Sequence, residues 1–131
     1  MNSQNFYSFE SLEVWKSARE LRKRISDITK SLPNEEKYRL TDQIIRASRS
    51  VAANIAEGFG RFHHQENIQF CRQARGSLFE VIEHLLCAFD EKYINESTLI
   101  ELRAIIDDCL KKLNGYVVYL QKAKDEIKIA H

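Results

Sequence analysis

With 131 residues, 44% of them hydrophobic and 30% charged, the chain is one domain that can bury a core without covalent staples. A formal net charge of +1 argues against indiscriminate binding of polyanions. Cys71, Cys87 and Cys109 are odd in number and form no CxxC spacing, which argues against a disulfide framework or thiolate zinc site and reads as buried, reduced thiols.

The opening MNSQNFYSFES has no charged leader followed by an apolar run, and no later segment approaches the roughly 18 apolar residues of a membrane span. A cytoplasmic protein without membrane contact is therefore expected. One proline and four glycines leave few places to turn and divide the chain into four helical periods.

The first helix is predicted over about 12–31, with Ser11 as N-cap, Glu13 in its positive first turn, and Val14, Trp15, Ala18, Leu21, Ile25, Ile28 and Leu32 spaced three or four apart. Pro33 ends it. Asn34 is the expected cap of a second helix over 35–59, with Glu35 and Glu36 against its dipole and Gly58 and Gly60 as its breakers. A third helix is predicted over 64–93. Ile68, Cys71, Ala74, Leu78, Val81, Ile82, Leu85 and Phe89 share one side, with Glu66, Gln73, Glu80 and His84 opposite. The fourth, over 97–127 and starting near Asn95 or Ser97, carries Leu99, Leu102, Ile106, Cys109, Leu113, Tyr116, Leu120, Ala123 and Ile127 in near-heptad spacing. Short connections between helices of about 20 to 30 residues force neighbours to run antiparallel. The expected fold is all-α: a single-domain, antiparallel up-down-up-down four-helix bundle over 1–131. Only the first seven or so residues and the tail after Ile127 read as loosely held.

The second helix is the most informative. Leu40, Ile44, Ala47, Ser48, Val51 and Ile55 make one apolar seam and Ile45, Ala52, Ala56 and Phe59 a second, together wider than the ~100° stripe of a helix packed on one core. That breadth predicts a second partner, met by association of copies. On its polar side lie Arg39, Gln43, Arg46, Ser50, Asn54, Glu57 and Arg61, donors, amides and one carboxylate suited to bidentate contacts.

A di-iron centre would need inward glutamates and two Glu-x-x-His pairs, whereas Glu80 and His84 are four apart and stand alone. His63, His64, Glu66 and Cys71 could be drawn as metal ligands, but adjacent histidines at a helix start diverge. No phosphate loop, nucleophile elbow or Cys–His pairing is legible. No enzyme, metal or cofactor is expected. Gly76 inside the third helix costs roughly 1 kcal/mol against alanine, so it and Ser77 are expected at a close contact with a neighbouring helix or subunit. Asn54 and Glu57, with Gln43, Arg46, Ser50 and, on the third helix, Glu80, are read together with Gly76 and Ser77 as a subunit boundary or polar network, the alternative being a ligand site.

Charge is uneven. There are 13 Lys and Arg against 9 Asp and Glu up to Arg75, then 7 against 10. Arg39, Arg49, Arg61, Arg72 and Arg75 are the candidates for phosphate contacts, with Lys16, Arg19, Lys23 and Arg24 as a weaker cluster. The plainer alternative is that each charge solvates an outer helix face.

Leu12, Val14, Trp15, Lys16 and Ala18, then Tyr38, Leu40, Gln43, Ile44, Arg46, Ala47, Ser50 and Asn54-Ile55-Ala56-Glu57-Gly58, then Ala74, Gly76-Ser77 and Glu80, carry a resemblance across nearly the whole chain. They resemble the four-helix-bundle proteins encoded within intervening sequences of bacterial 23S rRNA genes. Ala53 departs from that pattern, since many members have proline shortly before the asparagine. The resemblance implies a homopentamer without catalytic activity; a related branch, the accessory variability determinant of diversity-generating retroelements, is a basic partner of a reverse transcriptase and nucleic acid. Two functions follow: an oligomeric adaptor for RNA, DNA or a nucleic-acid enzyme, or a protein-interaction or structural bundle with no nucleic-acid role. The first is motivated by the resemblance and by the basic first half; the second, the alternative, by near-neutral charge and the lack of a stacking platform, Phe62 and Tyr119 being the aromatics expected off the core.

Overall fold

The computed structural model describes residues 8–130, with side chains through Ile127. Four α-helices make up most of it: α1 (Glu13–Thr29), α2 (Leu40–Phe59), α3 (His64–Asp90) and α4 (Glu96–Ala130). Expectations for the first seven residues lie outside the described ones, and the backbone past Ile127 continues α4 to Ala130.

Cross-helix contacts fix the directions. Ser50 meets Ser77 while Gly58 abuts Asn67, so α2 and α3 are antiparallel. Ser17 bonds Asp108 and Arg24 bonds Glu101, which makes α1 and α4 antiparallel; Gln65 with Lys124 and Asn67 with Tyr116 do the same for α3 and α4. Each helix packs on its neighbours in sequence, and α1 closes against α4, while the diagonal pairs stay apart. This is the up-down-up-down bundle, centred on Leu21, Ile25, Ile44, Ile55, Leu78, Leu85, Leu102, Ile106 and Leu113. No helix among the described residues is long and apolar enough to cross a membrane.

The helix ends differ from the sequence reading for local reasons. Ser11 does not cap α1: Phe9–Ser11 form a 3-10 turn in which the Ser8 hydroxyl accepts from the Glu10 amide at 3.1 Å, and Leu12 takes the cap position. The first helix stops at Thr29, and Lys30, Ser31 and Leu32 continue it only as i→i−3 turns. Asn34 opens a second 3-10 turn, Asn34–Glu36, and caps nothing. Glu36 serves instead, one carboxylate oxygen accepting from the Leu40 amide at 3.3 Å and the other from the Tyr93 hydroxyl at 2.9 Å.

That bond raises the Tyr93 pKa from its ordinary 10.0 to about 12, through the hydrogen bond to Glu36 first, then desolvation and the Glu36 charge. A raised folded-state pKa stabilises below the unfolded value and is lost as pH rises through the folded one. Wild type is therefore expected to lose stability more steeply than Tyr93→Phe between pH 10 and about 12, read by thermal melts across that range.

The third helix ends at Asp90, three residues before the predicted limit. The Tyr93 amide bonds the Ala88 carbonyl at 2.8 Å and the Lys92 amide bonds Phe89 at 2.9 Å, the paired bonds of a Schellman motif. Lys92 holds the left-handed position, with φ 66°. A side chain there is strained, so Lys92→Gly is expected to stabilise by about 0.5 to 1 kcal/mol in urea titration, part of the gain being returned to the freer unfolded chain. Asn95 starts α4 as read, its Oδ1 accepting from the Thr98 amide at 2.8 Å.

Both apolar seams of α2 are covered within the chain. Ile44, Ala47, Ser48, Val51 and Ile55 are buried, and in the second seam Ala52 is buried while Ile45, Ala56 and Phe59 are half-buried. The breadth of that face reflects two neighbours, α1 and α3, rather than a requirement for a second copy. The large apolar side chains left exposed lie elsewhere: Tyr38, Phe62, Phe79, Ile100, Val118, Tyr119 and Ile127. Gly58 is also not a breaker, since α2 runs through it to Phe59.

Candidate interaction seam between α2 and α3

The polar side of α2 borders its contact with α3. Gln43, Arg46 and Ser50 from α2 meet Glu80 and His84 from α3 across a shallow groove floored by Ala47. The Ser50 and Ser77 hydroxyls are 2.9 Å apart, and the Asn54 amide nitrogen donates to the Ser50 carbonyl at 2.9 Å and its hydroxyl at 3.0 Å. Asn54 thus ties its side chain back one turn and orients Ser50 toward α3. Arg46 pairs with Asp42 at 3.2 Å, and His84 lies 3.2 Å from Glu80, both across one turn. All these groups are half-buried or exposed, so the Arg46–Asp42 ion pair contributes at most a few tenths of a kcal/mol.

Six of the eight residues expected at a subunit boundary come together here: Gln43, Arg46, Ser50, Asn54, Ser77 and Glu80. The other two do not. Glu57 lies farther along α2, where it pairs with Arg61 at 3.1 Å. Gly76 points outward, with nothing within 4 Å of where a Cβ would be. His84, read from the sequence as part of the polar side of the third helix and as a failed metal ligand, also belongs to the seam; its i+4 spacing from Glu80 is the signal that places it.

The arginines expected at phosphate do not share one surface. Arg39 occupies the cap position of α2. Arg61 is held by Glu57, with Glu66 at 3.9 Å, and lies over the Phe70 ring. Arg75 covers Phe79 and Arg72 is exposed on α3, whereas Arg49 faces α1 and shares a groove with Arg22. In the weaker cluster Lys16 pairs with Glu13, Arg24 with Glu101, Arg19 lies over Trp15, and Lys23 is exposed.

Burial pushes the Cys71 and Cys109 thiols up to about 11 and raises Cys87 as well, so all three are protonated at neutral pH. Among the described residues no three His, Cys, Asp or Glu side chains are grouped to hold a metal ion.

An antiparallel four-helix bundle with a hydrogen-bonded polar seam between its second and third helices defines the class. The chain belongs to the 23S rRNA-intervening sequence protein family, which it matches over residues 10–115. Among solved structures it is similar to a protein of unknown function from the S23 ribosomal protein family of Bacteroides thetaiotaomicron. The TM-score is 0.73 at 24% identity, over 79% of this chain and 97% of that one, a likeness of fold. No curated protein matches the chain.

Proposed function

We propose that the protein is a non-catalytic subunit of a homo-oligomer, pentameric as the family resemblance implies, that serves as an adaptor for nucleic acid or a nucleic-acid enzyme. The observation that carries the oligomer is Gly76. A glycine in the interior of α3 costs roughly 1 kcal/mol of helix propensity, and no atom of its own chain occupies the space it leaves. Approach by another subunit supplies the reason for it. The seam is consistent with structural use, since the Ser50, Ser77 and Asn54 polar groups bond one another.

Sedimentation of the wild type at micromolar concentration is expected to give about five times the single-chain mass of 15.4 kDa. Gly76→Leu is expected to reduce that mass, because the added side chain projects into the contact while leaving the subunit's own packing untouched. A monomeric wild type, or an unchanged mass for Gly76→Leu in light scattering, would count against the reading. For the adaptor role, retention on structured RNA or duplex DNA should fall steeply with salt. Absent or salt-insensitive retention would favour the second reading, a protein-interaction bundle, which the net charge of +1 supports.

A further inference from the structure

The groove between α1 and α2 is built unlike the rest of the surface. Its floor is Ala52, Ala53 and Ala56, and its walls are Phe9, Trp15, Arg22 and Arg49. The Arg19 and Arg22 guanidiniums lie 5.7 and 5.8 Å from the Trp15 ring centre, and the Phe9 ring meets Trp15 edge-on. Among the described residues no carboxylate pairs with Arg19, Arg22 or Arg49, whereas Arg24, Arg46 and Arg61 each find one within a turn or on the next helix. The result is an apolar trough of small side chains edged with unpaired positive charge.

The outward line of α3 has the complementary character. Gly76, Phe79, Glu83, Leu86 and Asp90 are spaced three and four apart and so form one ridge. Phe79 is 51% exposed with the Arg75 guanidinium 5.5 Å from its ring centre, Leu86 is half-buried, and neither Glu83 nor Asp90 pairs with a cation among the described residues. Heights agree as well. Ser50 is level with Ser77, so by the rise of about 1.5 Å per residue Ala52 and Ala53 sit near the level of Gly76, and Arg49 near that of Phe79. Rotation about an axis parallel to the bundle keeps these heights, setting small residues against the glycine and arginines against Phe79 and Glu83.

We propose that the α1–α2 groove of one copy receives the α3 ridge of the next. This rests on the oligomeric reading above and specifies its contact. The two surfaces lie on different sides of the bundle, so the contact is head-to-tail, and such contacts form a ring where the rotation between copies closes. A second copy suits the groove better than a polyanion does: an alanine floor offers no donors to a phosphate backbone, but it lets a helix ridge approach closely.

Two charge-reversed proteins test it, Arg22→Glu/Arg49→Glu and Glu83→Lys/Asp90→Lys, each first shown to be helical and cooperatively folded by circular dichroism. Each alone is expected to associate at least about a hundredfold more weakly than wild type and to sediment near the single-chain mass. Mixed in equal amounts, they are expected to associate again, to at least twice that mass, because one supplies an intact ridge, the other an intact groove, and the two reversed surfaces also carry opposite charges. Wild-type mass for either variant, or single chains in the mixture, overturns the proposal while leaving the oligomer standing. A monomeric wild type removes the oligomeric reading first. Unchanged mass for Arg22→Glu/Arg49→Glu with lost retention on heparin would reassign the groove to polyanions and overturn it too.

Discussion

Gly58→Ala is expected to destabilise the fold by about 2 kcal/mol, lowering the melting temperature by roughly 8 °C. A Cβ at this position would stand 2.6 Å from the Asn67 Oδ1, 2.9 Å from the Phe70 Cβ and 3.2 Å from the Asn67 carbonyl oxygen. Two of those neighbours are anchored to the α3 backbone, so they yield only if the helices separate. Such overpacking costs about 1 to 3 kcal/mol, and the geometry here argues for the upper end. Alanine's better helix propensity returns about 1 kcal/mol, which is too little to change the sign. Urea denaturation of Gly58→Ala beside Gly76→Ala separates the effects: the second site is open and exposed, so there the subunit itself should gain up to about 1 kcal/mol. A stabilised Gly58→Ala would show that α2 and α3 are not held as closely as described.

Asn67→Ala is expected to cost about 2 to 3 kcal/mol. Asn67 is buried, donates to the Tyr116 hydroxyl at 3.0 Å and accepts from the Cys71 thiol at 3.7 Å, linking α3 to α4 beside the Gly58 contact. Truncation leaves the half-buried phenol without its donor and opens a void. Tyr116→Phe removes the partner instead and should cost closer to 1 kcal/mol, since the amide keeps its thiol contact. Combining Gly58→Ala with Asn67→Ala should be less damaging than the sum by about 1 kcal/mol, because the nearest clashing atom is gone. Strict additivity by chemical denaturation would contradict that geometry.

The bundle was legible because its four apolar periods are long and the chain has almost nothing that turns. Val14, Trp15, Ala18, Leu21 and Ile25 are buried as their spacing requires, and so are Leu99, Leu102, Ile106, Cys109 and Leu113. Helix limits were less legible, because ends are decided by single hydrogen bonds: Glu36 reaching forward to Leu40, or Lys92 adopting a conformation usually left to glycine. The polar seam could be read in part, since six of its residues share one side of α2 or an adjoining side of α3. Two departures from the helical wheel have a common cause. A helical wheel gives direction but not the number of neighbours, so it mistook α2's contact with both α1 and α3 for surplus surface, and it could not tell Gly58, pressed against Asn67, from Gly76, which faces open space. The arginine groove escaped notice because Arg22 and Arg49 lie on different helices and meet only after folding.

Glu36 joins two connections that are remote in sequence, the segment leading into α2 and the turn between α3 and α4. Fraying at that pole of the molecule therefore involves both hinges at once, since release of the carboxylate frees the Leu40 amide and the Tyr93 phenol together. Deuterium uptake should proceed there as one concerted event, whereas the opposite pole, crossed by a single short linker around Arg61 and Phe62, should exchange piecemeal.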